Sequence, residues 1–509
     1  MFFSQSKLRL TLLLILLVFF HTFCSSQTVI EYLPGFPGKL PFKLETGYIG
    51  VGEKEEVQLF YYFFKSESNP EEDPLMLWLT GGPGCSCLYG VTNEIGPFTI
   101  DFLNSGGSLP SLMLREHAWT KVANIIFLDQ PVGTGFSYAT TPEAFYSNDT
   151  YTTELDYEFL RKWLKNHPKY INNPLYIGGD SYSGTTVPLI VNNVYRGNQA
   201  GIKPLLNIKG YVLGNPRTDV FGDTNERVPY AHRTGLLSDR LYQSAKVNCH
   251  GNYVNVNPEN VLCLNDLERI NQCLDKIDEY MISEPSCNSK EDVLSLAIPF
   301  SRESPTNFLQ SVVALVEKIM CRGDALVHLH TWANNKSVQQ ALDIREGIKG
   351  EWTRCNKTIE SCAHAPDKTT SYVCNVKSVV GYHQDFTHKK CRTLIYSGDH
   401  DMIFPHTSTE KWIEFLKVPV LSDWRPWFAQ GQIAGYTMTY GHGDYELTYA
   451  TVKGAGHTSP EYKPEECFAM ITRRSNAAGG GAILNPASKM WMFVNLSTEN
   501  GSLVNLTCI

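Results

Sequence analysis

Residues 176–188 read "YIGGDSYSGTTVP". The apolar run Pro174-Leu175-Tyr176-Ile177 breaks here into small and polar residues around one serine, Ser181, with Pro188 close behind. A packed core has no use for Gly179, Ser183 and Gly184 in that place. A strand that turns sharply into a helix does, because small residues two places before and after the turning residue let the elbow form without a clash, as in the pattern G-x-S-x-G. Gly179 fills the first of those places; the second holds Ser183, small but not glycine, so the strict pattern is missed by one position. With Ser183 as the turning residue the second place would hold β-branched Thr185, a worse fit.

Working outward, short runs of the same style recur: Leu75–Leu79, Ile125–Leu128, Leu175–Ile177, Tyr211–Leu213, Leu394–Tyr396 and Leu447–Val452. Nearly continuous apolar strands ending in Gly, Asp or Pro are what a mostly parallel sheet covered on both faces requires. Helical stretches lie between them; in Glu154 to Asn166, Leu155, Phe159 and Trp163 recur every four residues and share one face. The alternation predicts an α/β fold with an open, mostly parallel sheet. Between Pro216 and Cys391 the texture shifts to cysteine, charge and helical segments such as Phe308 to Met320, and its first part, about 217–330, reads as an inserted, mainly helical cap. From residue 475 the chain is Gly-, Asn- and Ser-rich without periodicity, a loose tail over 475–509. No internal repeat is present.

The chain has 509 residues, 42% of them hydrophobic and 12% aromatic, enough for a large core. Its net charge of -8, with no run of like charges, argues against nucleic acid or an anionic membrane as partner. Lys7 and Arg9, the apolar block Leu12 to Phe20 and the small residues Cys24-Ser25-Ser26 read as a secretory signal over 1–26, too short for a membrane span. Fourteen cysteines then point to disulfides, and the sequons at Asn148, Asn335, Asn356, Asn495, Asn500 and Asn505 agree with secretion. No CxxC pair or His/Cys cluster suggests a metal, and no cofactor is expected.

A serine hydroxyl is inert at neutral pH and needs a histidine base oriented by a carboxylate. On the elbow fold these follow the serine in the order Ser, Asp/Glu, His, each on a loop after a strand. The strand Leu394 to Tyr396 runs into "SGDHDMIFP", offering Asp399 and Asp401; the strand Leu447 to Val452 runs into "KGAGHTSPEY", offering His457. His406 and His442 lack such a setting and are expected at the surface. Two backbone N–H groups must also face the developing oxyanion. "LTGGPGCS", residues 79–86, bares such groups after the first strong strand, and Tyr182 should supply the other. No Gly-Lys-Ser/Thr accompanies these glycines, which argues against nucleotide binding.

Taken together, "LPGFPGKLPFKLETGYIGV", "LMLWLTGGPGCS", "NIIFLDQPVGTGFSYA", "GGDSYSG", "IYSGDHDM" and "VKGAGHTSPEYKPEECFAM" resemble the serine carboxypeptidase-like family over about residues 29–470, especially its plant branch of acyltransferases that use glucose esters. The resemblance implies an α/β-hydrolase domain over 27–474, the triad Ser181, Asp401 and His457, and an oxyanion hole at Gly82 and Tyr182. It also implies the disulfides Cys85–Cys355, Cys249–Cys263 and Cys287–Cys321, and leaves Cys87, Cys273, Cys362, Cys374, Cys391, Cys467 and Cys508 unassigned. Substrate is implied at Thr80, Gly81, Asp180 and Glu94. Family peptidases hold the substrate's C-terminal carboxylate with an Asn before the two glycines and a Glu before the nucleophile; here those places hold Thr80 and Asp180, which resembles the acyltransferase branch. The stretch "ESCAHAPDKTTSYVCNVKSVVGYHQDF" and the chain past Met470 depart from the family pattern. The expectation is acyl transfer from a 1-O-glucose ester to an alcohol, with carboxypeptidase action on peptide C-termini as the alternative and a catalytically silent glycoprotein as the third reading. The expected setting is the secretory pathway, extracellular or vacuolar, as a monomer or a processed two-chain form with no membrane contact after signal cleavage.

Overall fold

The six apolar runs singled out above form six neighbouring parallel strands. In sheet order they are Asn124–Leu128, Leu75–Leu79, Leu175–Asp180, Ile208–Gly214, Arg392–Gly398 and Tyr445–Val452. The computed structural model describes residues 27–101, 109–284, 286, 322–347, 350–364 and 371–472. The signal, the Phe308–Met320 segment, Cys287, Cys321, Cys508, the sequons at Asn495, Asn500 and Asn505 and the 475–509 tail lie outside them.

Antiparallel strands extend both edges: Gln27–Ile30, Leu44–Val51 and Val57–Phe64 on one side, the hairpin of Val420–Ala429 and Gln432–His442 on the other. Successive side chains of a strand point to opposite faces, and here both faces are buried. Met76, Trp78, Tyr176, Val212 and Tyr396 enter one apolar cluster, while Leu75, Leu77, Leu79, Ile177, Leu213 and Ile395 enter another. The helix Asp149–Asn166 covers the second face with Leu155, Phe159 and Trp163, the three residues that its spacing placed on one side. The helix Ser183–Gln199 joins it through Val187, Ile190 and Val194. Trp119, Trp332, Trp352 and Met470 cover the first face. After Gly214 the helices Val220–Asn225, Arg227–Arg233, Asp239–Asn248 and Val261–Leu274 gather around a separate small cluster that includes Tyr230, Leu241, Ala245 and Ile270.

Cys85 is bonded to Cys355, Cys249 to Cys263 and Cys362 to Cys374. Cys87, Cys391 and Cys467 are buried thiols and Cys273 is exposed. Three sequon asparagines sit at helix starts. The Oδ1 of Asn148 accepts the Tyr151 N–H (3.0 Å), and those of Asn335 and Asn356 accept the N–H groups of Ser337 (2.9 Å) and Thr358 (3.1 Å). His406 departs from its expected surface position. It opens the helix His406–Phe415 with its ring edge-on to buried Tyr230 (5.6 Å between centroids), and burial holds its pKa down at about 4. His442 is exposed as expected.

Asp156, on the Asp149–Asn166 helix, is fully buried, and neither of its carboxylate oxygens has a partner among the described residues. Burial pushes its pKa well above the ordinary carboxylate value. An acid whose folded-state pKa is raised contributes stability that is present below its unfolded value near ~4 and lost as pH rises toward the folded value. Asp156→Asn, which cannot ionise, is therefore expected to raise Tm by at least ~2 °C at about pH 7.5 and to leave it nearly unchanged at about pH 4. Thermal melts of the two proteins at both pH values check this, and an equal shift at both would show that ionisation is not what the substitution relieves.

Candidate active site

The groups at the centre of the site lie at the C-terminal ends of the parallel strands, where open α/β sheets place their ligand crevice. Ser181 follows Leu175–Asp180, the glycine loop follows Leu75–Leu79, Asn215 follows Ile208–Gly214, Asp401 follows Arg392–Gly398 and His457 follows Tyr445–Val452. The first two strands are direct neighbours with Gly179 opposite Leu79, which brings the glycine loop against the serine.

Ser181 has φ of 56°, the left-handed region that residues with a Cβ rarely adopt. Such a conformation costs on the order of 1–3 kcal/mol and persists where surrounding bonds over-determine it. Here they do: the Ser181 N–H donates to Gly214 O (2.9 Å), and its carbonyl accepts from the N–H groups of Gly184 (2.9 Å) and Arg217 (2.8 Å). The elbow also accounts for the imperfect motif. A Cβ on Gly179 would lie 2.6 Å from the Ser183 Cβ and 2.5 Å from Leu79 O, so glycine is required there. Ser183 is accommodated at the second place, its hydroxyl donating to Leu79 O (3.0 Å). The backbone crowding falls one position later, where a Cβ on Gly184 would meet Arg217 O at 2.6 Å.

The Ser181 hydroxyl lies 2.8 Å from His457 Nε2, and His457 Nδ1 lies 2.8 Å from Asp401 Oδ2. Asp401 is fully buried and every contact it makes is from a donor: Asn215 Nδ2 (2.8 Å) on Oδ2, and the Ile403 (2.7 Å) and Phe404 (3.4 Å) N–H groups on Oδ1. A carboxylate held this way accepts from the ring and fixes the imidazole tautomer with the proton on Nδ1. Burial pushes His457 down, but the charge of Asp401 and its hydrogen bond, with Asp180 adding, outweigh this and hold its pKa above the ordinary value. The ring is flanked by Tyr280 (5.3 Å) and Phe404 (5.6 Å), and its backbone N–H donates to Tyr280 O (2.7 Å). Asp399, the other carboxylate of the same loop, is turned away and accepts from Gly454 N–H (2.7 Å).

Across from Ser181 the glycine loop passes so close that a Cβ on Gly81 would lie 2.6 Å from the Ser181 Cβ and 2.8 Å from Tyr182 N. Gly82 has φ of 118°, open only to glycine. The N–H groups of Gly82 and Tyr182 have no protein acceptor among the described residues, whereas that of Gly81 donates to Asp180 Oδ1 (3.2 Å). The disulfide Cys85–Cys355 and two backbone bonds, Ser86 N–H to Arg354 O (2.7 Å) and Asn356 N–H to Gly84 O (2.9 Å), hold the loop down.

Thr80, Asp180 and Glu94 are all buried beside it. Glu94 Oε2 accepts from Trp78 Nε1 (2.9 Å), while Glu94 Oε1 and Thr80 Oγ1 have no partner among the described residues. Burial raises the Asp180 pKa to about 6, and burial together with the charge of Asp180 raises that of Glu94 well above its ordinary value. Of donor types suited to a metal, Cys85, Cys355 and Glu360 cluster among the described residues, but both sulfurs are spent in the disulfide.

Asn215 is the residue that reading the sequence missed. Its amide donates to Asp401, and its Oδ1 accepts from Ser459 Oγ (2.9 Å) and Gly398 N–H (3.2 Å), tying together three of the strand-end loops. Its place immediately after an apolar run, in "LGNP", was the available signal.

The serine carboxypeptidase family profile matches residues 34–476. Serine carboxypeptidase-like 10 of Arabidopsis thaliana is 46% identical over 468 residues, 92% of this chain and 98% of that protein. Serine carboxypeptidase-like 17 of the same plant is 45% identical over 467 residues, 92% of this chain and 96% of that protein. Among solved structures, Kex1Δp, a prohormone-processing carboxypeptidase from Saccharomyces cerevisiae, superposes with a TM-score of 0.64 at 20% identity, covering 87% of this chain and 94% of that one, a likeness of fold. An elbow serine in reach of a strand-end histidine, on this sheet and with these relatives, makes the chain a member of the serine carboxypeptidase family and an enzyme of the α/β-hydrolase fold.

Proposed function

We propose that the protein is an acyltransferase that moves an acyl group from a 1-O-glucose ester to an alcohol through an acyl-enzyme on Ser181. The observation that carries the reading is the pocket beside the nucleophile, where Thr80 stands in place of an amide donor and the Asp180 carboxylate is drawn back onto the Gly81 N–H. Such a pocket offers little to a peptide's terminal carboxylate. A glucose ester carries no such anion.

In the first half-reaction His457 Nε2 takes the Ser181 proton as Oγ attacks the ester carbonyl, and Asp401 stabilises the imidazolium that forms. The oxyanion is held by the N–H groups of Gly82 and Tyr182. His457 then gives its proton to the departing sugar oxygen, leaving the acyl group on Ser181. In the second half-reaction His457 deprotonates the acceptor hydroxyl, which attacks the acyl-enzyme, and the proton returns to Ser181. Water must lose to the acceptor in that step, and exclusion of water by the helices after Gly214 favours transfer. Entry into the secretory pathway after loss of residues 1–26, with glycans at the sequons, completes the reading.

Purified protein incubated with acyl-glucose donors plus an alcohol, and separately with blocked dipeptides, tests it. Transfer product with little dipeptide cleavage is expected. Efficient dipeptide cleavage without transfer would establish a carboxypeptidase instead.

A further inference from the structure

Tyr182 carries one of the site's two N–H groups that have no acceptor among the described residues, and a donor without an acceptor keeps its direction only if the rest of its residue is held. The surroundings of Tyr182 do this from three sides. Its hydroxyl donates to Asp149 Oδ1 (2.7 Å), and its ring lies under the Arg217 guanidinium at 4.6 Å. The remaining side is closed by Ile359, Cys362, Tyr372 and Cys374, which form with Tyr182 a small buried cluster of their own.

Asp149 is fully buried at the start of the Asp149–Asn166 helix and far along the chain from the serine, yet it is saturated by donors that converge on the elbow. Besides Tyr182 it accepts from the Tyr372 hydroxyl on Oδ1 (3.0 Å) and from Val376 N–H on Oδ2 (2.8 Å). Burial raises its pKa, which these hydrogen bonds and the charge of Arg217 oppose. The segment bearing Tyr372 is itself fixed: Tyr372–Val373 pairs with Ser147–Asn148, Cys374 is bonded to Cys362, and Val379 N–H donates to Thr218 O (2.9 Å). Arg217 completes the circuit, since its N–H donates to Ser181 O (2.8 Å) and its guanidinium to Thr185 Oγ1 (2.7 Å) on the helix that Tyr182 opens.

We propose that Asp149 is a positioning residue for the reaction: through the Tyr182 hydroxyl it fixes the direction of the Tyr182 N–H toward the oxyanion, with the Val376 N–H holding the carboxylate in place. The proposal rests on Ser181 being the nucleophile, as in the function proposed above, but not on the identity of the acyl donor or acceptor. It gives a role to "ESCAHAPDKTTSYVCNVKSVVGYHQDF", the stretch that departs from the family pattern, because that stretch supplies Tyr372, Val376 and the Cys362–Cys374 bridge.

The test is Tyr182→Phe, which deletes one oxygen and keeps the backbone N–H. Its readouts are the rate of Ser181 labelling by a fluorophosphonate, which requires only the histidine-activated nucleophile and the oxyanion hole, and kcat and KM for an acyl-glucose donor. Outright loss of one oxyanion donor costs ~10²–10³-fold in kcat, so misdirecting it should cost about 10- to 100-fold in both rates with KM held within about twofold. Asp149→Ala should give the same loss, and the double variant no more than either alone. Tyr372→Phe removes a hydroxyl from the same Asp149 oxygen without touching the donor residue; it should match Tyr182→Phe in Tm and cost under about threefold in rate. Wild-type labelling rates in Tyr182→Phe, or equal rate losses in Tyr182→Phe and Tyr372→Phe, would overturn the positioning role while leaving the function intact. A native protein that is labelled but transfers nothing would overturn the acyltransferase reading alone, and one not labelled at Ser181 would overturn both.

Discussion

Ser181→Ala is expected to lower acyl transfer by about 10⁴-fold or more while leaving folding and secretion unchanged. The size of the loss follows from the cooperation of the three groups. Without the hydroxyl, His457 has no proton to take and Asp401 no imidazolium to stabilise, so removing one member costs about as much as removing all. What survives is binding and the Gly82 and Tyr182 N–H groups acting on a direct attack by water or alcohol, a residue of roughly 10³–10⁴-fold over the uncatalysed rate. The fold should survive because the bonds that hold Ser181 in its conformation run through its backbone and not its hydroxyl: Ser181 N–H to Gly214 O, and Gly184 and Arg217 N–H to Ser181 O. Alanine has the same Cβ as serine, so the strain at φ of 56° is unchanged. Turnover of an acyl-glucose donor by the variant, with Tm as the control for folding, decides the matter. Retention of more than about 1% of the native rate in a properly folded variant would remove Ser181 from the nucleophile's place.

The parallel core was legible because burial on both faces leaves a strand no polar positions, so Leu75–Leu79 and Ile125–Leu128 stand out as unbroken apolar runs. The edge strand Val420–Ala429 could not be read the same way: most of its residues face water, and its register against Gln432–His442 is interrupted by bulges. At the site, Ser181 and His457 were legible through strand-end position and order. The choice between Asp399 and Asp401 was not, since both lie on one loop; the family resemblance pointed to Asp401, and in three dimensions Asp401 faces His457 while Asp399 faces Gly454. Asp149 carried no signal at all. It lies 33 positions from Tyr182 in a helix start that reads as an ordinary cap, and its partners Tyr372 and Val376 lie more than 200 positions further on.

The double change Thr80→Asn with Asp180→Glu is expected to raise cleavage of blocked dipeptides by roughly two to four orders of magnitude on the acid side, and to lower acyl transfer. A peptide C-terminus is an anion, and holding it takes donors. Thr80 offers one hydroxyl where an Asn would offer two amide hydrogens. Asp180 is one methylene shorter than Glu, and its Oδ1 is already occupied by the Gly81 N–H. A hydrogen bond to a charged group contributes ~1.5–3 kcal/mol, so restoring two is worth ~3–6 kcal/mol, and each ~1.4 kcal/mol is tenfold in rate. The site has room in its hydrogen bonding for the change, because Thr80 Oγ1 and Glu94 Oε1 are buried beside it without partners among the described residues. The pH dependence follows from the acids. Burial and the charge of Asp180 hold Glu94 well above its ordinary pKa, while Asp180, at about 6, carries a proton only below that value. Peptide cleavage by the native protein is therefore expected to fall as pH rises through about 6, where a second negative charge would face the substrate's carboxylate; transfer from a neutral glucose ester should lack that dependence. Initial rates for both substrates across that range, in the native protein and the double variant, are the measurement. Efficient peptide cleavage by the native chain, or no gain in the double variant, would mean that Thr80 and Asp180 do not set the choice between peptide and ester.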